Sequence, residues 1–251
     1  MNRKKKSIIN IAVYIIMLII NYLGASGFIN GLKQKDVSDM FHTSITPAGF
    51  TFSIWGVIYL LILISLINMY FNTDIGHNAF FIDKISNIFI LSCIFNILWI
   101  ISFSYVKIFL SLIFIIFLMV SILLILIRIS DRYNNKILYK IAFGLYGGWL
   151  LAASFVNAAA YLTYLGAADF NMNSGVFALI SLLLICLLSL FLYKYHKNLF
   201  YYISIIWAFI GIIAESKFYI IGLIILLYIL GILYILKKDN DFSYRKLKDS
   251  F

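Results

Sequence analysis

Of 251 residues, 64% are apolar and only 12% charged, and the formal net charge is +10. A water-soluble domain lies nearer half apolar and a quarter charged, so the chain is read as a membrane protein. The apolar residues run in long blocks without alternation, which excludes a β-barrel, and the basic residues fall in short segments that orient helices, which argues against nucleic acid.

The first apolar block, 8–28, follows Arg3, Lys4, Lys5 and Lys6. Its outline is that of a signal peptide, but a retained helix is expected, because further apolar blocks follow for it to pack against. Asn21 and Tyr22 place polar groups near its end.

Residues 29–48 form the longest hydrophilic stretch between blocks. Two readings fit it: a lid over a cavity, or a plain connector with one amphipathic turn.

The second block, 49–71, opens on PAGFTFSIWGVIY and holds Pro47, the only proline. Thr46 as a cap and Pro47 at the first helical position predict a sharp helix start at Pro47. Trp55 and Tyr59 then share one face, with Phe52 a turn earlier. Trp55 is deeper than a membrane-interface aromatic needs to be. Its N–H and the Tyr59 hydroxyl call for partners, either neighbouring helices or a polar cavity.

The third block, 84–105, carries Asn96 and Trp99, three residues apart. The fourth, 107–129, follows almost without a loop. The fifth, 138–164, holds Tyr146, Trp149 and Asn157. Tyr146, Ala153, Asn157 and Tyr164 fall close to one helical line; Gly144, Gly148 and Ala152 fall on another, a ridge that lets a neighbouring backbone approach closely. The fifth helix is therefore expected at the centre of a bundle. Asn96 and Asn157 must face protein or water, as interhelical links or as ligand contacts.

Blocks 174–193, 199–214 and 217–236 follow, and a basic tail closes the chain at 237–251. The block at 199–214 is short for a span, and Glu215 and Lys217 divide it from the last. A seven-span reading merges that region. Eight spans with a cytoplasmic start place sixteen basic residues inside (Arg3, Lys4, Lys5, Lys6, Lys84, Arg128, Arg132, Lys136, Lys140, Lys194, Lys197, Lys237, Lys238, Arg245, Lys246, Lys248) and four outside (Lys33, Lys35, Lys107, Lys217). That asymmetry predicts cytoplasmic termini.

Cys93 and Cys186 lie in apolar blocks and read as buried hydrophobes. His42, His77 and His196 do not stand at metal-ligand spacing, and no HExxH, nucleophile setting or glycine-rich phosphate loop is present, so an ordinary enzyme is not expected.

The aromatic-polar sets on the second, third and fifth helices resemble the tryptophan-rich sensory protein family, also called translocator proteins. Pro47, Phe50, Phe52, Trp55 and Tyr59 match the family's second helix in order. Asn96 with Trp99, and Tyr146 with Trp149 and Asn157, keep its spacings in the third and fifth. The resemblance covers residues 8–164. It implies an all-α, polytopic transmembrane bundle: a five-helix translocator-like unit at 1–164, with about three additional helices at 165–236. It also implies a pocket for a flat apolar ligand, such as a porphyrin or another haem-like tetrapyrrole, with a role in transport or signalling. Asn21, Pro47, Phe52, Trp55, Tyr59, Asn96, Trp99, Tyr146, Trp149 and Asn157 would lie on or near that pocket, and 29–48 would be its lid. The partners so implied are the lipid bilayer, a hydrophobic small molecule and a second copy of the chain, in a bacterial plasma membrane. A structural or assembly role without a ligand, or breakdown of a bound porphyrin, are the other readings. The chain departs from the family pattern in its single proline, in Leu145 where the family has proline, in its four tryptophans and in its added length.

Overall fold

The computed structural model describes residues 2–130, 137–167, 174–216 and 220–248. Arg132, Lys136, Asp169 and Lys217 lie outside them. Among the described residues the regular structure is helical throughout. Seven helical segments are long and apolar enough to cross a membrane, and Phe200–Ser216 is a shorter apolar helix.

The helices are α1 Arg3–Ser26, α2 Gln34–Met40, α3 Ile54–Phe71, α4 Gly76–Phe80, α5 Ser86–Ser104, α6 Ile108–Ser130, α7 Ile137–Tyr164, α8 Gly175–His196, α9 Phe200–Ser216 and α10 Ile220–Lys248. A turn of π-helix, Phe81–Ile85, joins α4 to α5, so the two form one span. The π turn carries Asp83, which pairs with Arg3 of α1 at 2.8 Å. Helix α10 continues beyond its apolar stretch, past Lys237 and Lys238, to Lys248.

Five helices close a ring in the order α1, α3, α7, α6, α5, each packing on the next and α5 returning to α1. Helix α7 is the most enclosed: 72% of its most apolar window is buried, against at most 44% for any other span. Its sequence explains this. The small residues Gly144 and Gly148 let a neighbour approach closely along one ridge, where bulkier residues would hold it away.

Helix α9 uses that closeness. A Cβ on Gly148 would overlap the Tyr201 carbonyl oxygen, and one on Gly144 would stand 2.6 Å from Asn198 Oδ1. The glycine ridge on α7 is thus the bed of α9. At one end Asn198 Nδ2 donates to Lys140 O; at the other the Ala48 N–H donates to Gly211 O. Although α9 has only 17 residues, it runs parallel to α7 and reaches from the start of α7 to the turn that precedes α3. Helix α8 lies against α6 and α7, and α10 against α8 and α9. Ser189 and Tyr228 join α8 to α10 through their hydroxyls, 2.6 Å apart. Cys93 and Cys186 are both free and buried.

The expected helix start at Pro47 is corrected. Pro47 and Ala48 are not helical; a 3-10 turn spans Gly49–Ser53, and α3 begins at Ile54. Thr46 does not cap α3. Its Oγ1 accepts from the Thr43 N–H at 2.9 Å and closes a turn within the segment between α1 and α3. The reason is tertiary. The Ala48 N–H bonds to Gly211 O at 3.0 Å, and Thr51 O accepts from the Trp207 indole at 2.9 Å. These bonds to α9 hold the backbone in a tighter turn than an α-helix would give.

Candidate ligand chamber

The three aromatic sets converge at the lid end of the ring. Trp55 is the hub. Its ring stacks on Tyr59 (centroids 5.2 Å apart), lies 5.6 Å from Trp99 and meets Trp149 edge-on at 6.0 Å. Phe52 also meets Trp149 edge-on, at 6.0 Å. Edge-to-face pairs at such separations are favourable beyond the area they bury.

Above these rings lies a cavity of about 220 Å³. Its walls come from α3 and the turn before it (Pro47, Gly49, Phe52, Trp55), α5 (Trp99, Phe103) and α7 (Trp149, Ala152, Ala153, Val156, Asn157, Ala160). Gln34, Lys35, Ser38 and Phe41 line it from the segment between α1 and α3. That segment is more than a connector. Its helix α2 starts with the Asp36 carboxylate accepting from the Lys33 N–H, and Val37 is fully buried. The mouth is polar: Lys35 pairs with Asp39 at 2.5 Å, and His42 Nε2 stands 3.5 Å from Glu215 Oε1 on α9.

Six of the ten residues singled out in sequence line the cavity: Pro47, Phe52, Trp55, Trp99, Trp149 and Asn157. The other four lie one helical turn deeper and bond to one another. Asn21 Nδ2 donates to Asn96 Oδ1 at 2.6 Å, and the Tyr59 hydroxyl donates to Asn21 Oδ1 at 2.8 Å. Asn96 Nδ2 reaches the Tyr146 hydroxyl at 3.1 Å and the Tyr59 hydroxyl at 3.4 Å. Four helices of the ring are tied by this network, which forms a polar floor beneath the aromatic one. Asn157, in the wall, accepts from the Ser111 hydroxyl of α6 at 3.1 Å, so its amide is held in place.

Two donors in this region are unsatisfied. The indole N–H groups of Trp99 and Trp149 are buried and have no hydrogen-bond partner. A buried donor left unpaired costs about 1–3 kcal/mol. Among the described residues no group of three or more His, Cys, Asp or Glu gathers to hold a metal ion.

A family model described as TSPO-like protein matches residues 7–237. The chain belongs to the TSPO-like family. The match runs through α8, α9 and most of α10, so the C-terminal helices fall within the family pattern rather than after it. No curated protein matches the chain, and no solved structure does.

Among the cavity residues with no signal in sequence are Ala208 and Ile212 of α9. Small and aliphatic residues in an apolar block look alike whichever way they face. Only the packing of α9 on α7 and on the Gly49–Ser53 turn makes them walls.

Proposed function

We propose that this TSPO-like protein is a membrane receptor for a flat, mainly apolar molecule, held in the chamber beneath the lid. The observation that carries this reading is the void itself. Indole and phenyl rings from three separated helices surround a space instead of packing it shut. Rigid aromatic faces suit a planar ring system, and Asn157 suits a carbonyl or carboxylate on its rim.

Volume narrows the choice. The cavity exceeds the roughly 150 Å³ that accommodates one benzene and falls short of the roughly 300 Å³ at which drug-sized sites begin. A two-ring body fits with the lid shut. A tetrapyrrole, the ligand class of the wider translocator family, needs the lid displaced. The basic residues of the loops support a cytoplasmic location for both termini, with the lid on the opposite face.

Titrating the purified protein in detergent with protoporphyrin IX or 2-naphthoate, and following tryptophan emission, tests the reading. Saturable quenching is expected. Asn157→Ala should weaken it about fivefold, the value of one hydrogen bond near 1 kcal/mol. Quenching that never saturates and is the same in wild type, Asn157→Ala and Trp149→Phe would reduce the interaction to partition into detergent.

A further inference from the structure

We infer that α9 is the specificity wall of the chamber, with Ala208 and Ile212 setting the size of ring system it admits. The inference rests on the binding reading above and adds a determinant outside the five-helix ring. Ala208 and Ile212 line the cavity from a helix that packs on α7 and on the Gly49–Ser53 turn, and they stand one turn apart on the same face.

A wall sets specificity only if it cannot yield, and α9 is fixed at both ends. Near its start, the Gly148 surface of α7 leaves no space for even a methyl group against Tyr201. At the level of the cavity, the Trp207 indole donates to Thr51 O at 2.9 Å and meets Phe50 edge-on. Gly211 lies directly against the Thr51 side chain, where a Cβ would overlap it, and its carbonyl holds the Ala48 N–H. The same turn, Gly49–Ser53, leads into the helix that carries Trp55. The aromatic hub and the α9 wall are therefore positioned by one set of contacts. Ligand size is felt against Ala208, which has no longer side chain to swing aside, and against the branched side chain of Ile212.

The test compares two planar carboxylates of different size, 2-naphthoate and 1-pyrenebutyrate, on the full chain in detergent, with Ala208→Phe and Ile212→Ala. Ala208→Phe should weaken 2-naphthoate at least tenfold while elution and melting temperature stay near wild type. Ile212→Ala should move the affinity ratio at least threefold toward the pyrene. If wild type binds saturably and both folded variants keep its affinities and ratio, the inference is overturned and the chamber still stands. If wild type binds neither probe saturably, the binding reading fails and takes the inference with it. Should Ala208→Phe not fold, the ratio in Ile212→Ala decides alone.

Discussion

Gly148→Val is expected to lower the stability of the protein by about 3 kcal/mol or more, the upper end of what overpacking costs. The magnitude follows from which atoms must give way. Most overpacked sites relieve strain through a rotamer change. Here the added carbon meets the Tyr201 carbonyl oxygen, a backbone atom inside helix α9. Relief requires the two helices to separate, and α9 is tied to Lys140 O at one end and to Ala48 and Thr51 at the other. Gly56→Val is the control, because a Cβ at Gly56 has open space around it. Cys93 and Cys186 supply the readout: both thiols are buried, so a thiol-reactive dye reports unfolding as they become exposed. Equal melting temperatures for the two variants would show that α7 and α9 are not locked as described. Movement of α9 would also open the chamber wall, so a loss of 2-naphthoate binding should accompany the loss of stability in Gly148→Val alone.

The second large effect is expected at Asn96, which is fully buried and bonds to Asn21, Tyr59 and Tyr146. Two magnitudes compete. Interhelical hydrogen bonds in membranes average about 0.6 kcal/mol, because separated helices find other partners. A buried polar group orphaned in the folded state costs about 1–3 kcal/mol. Asn96→Leu falls under the second. Asn21 keeps its bond to Met17 O, and Tyr59 keeps its bond to Asn21, but the Tyr146 hydroxyl loses the Asn96 amide. A loss of about 2 kcal/mol is expected, centred on that hydroxyl. The double variant Asn96→Leu/Tyr146→Phe should therefore be no less stable than Asn96→Leu alone, since it removes the orphan. Strict additivity of the two single losses in thermal unfolding would contradict a shared network.

The depth of this network explains what could be read from the residues one at a time. Helical spacing puts Tyr59 under Trp55, Asn96 under Trp99 and Tyr146 under Trp149, and so establishes a common face for each pair. Spacing along one helix does not say where a void begins between helices. The ten candidate residues therefore divide by a single turn of depth, the indoles and Asn157 lining the cavity and the four bonded residues lying below it. The ridge of Gly144, Gly148 and Ala152 was likewise legible as a surface for close approach. Its occupant was not, because nothing in α9 marks it as the partner of α7 rather than of α6 or α1.

The sequence by itself determined the class of solvent, the apolar spans, the asymmetry of basic charge and the family. Each of these follows from local composition, since lipid demands unbroken apolar runs whatever their neighbours are. The tertiary structure alone decided the backbone between Pro47 and Ser53, the seating of α9 on α7 and the extension of the chamber onto Ala208 and Ile212. Those features are set by contacts between residues some 150 positions apart, such as Thr51 with Trp207. A glycine, an alanine or an isoleucine in an apolar block carries no mark of the surface it will meet, and only the packed bundle supplies one.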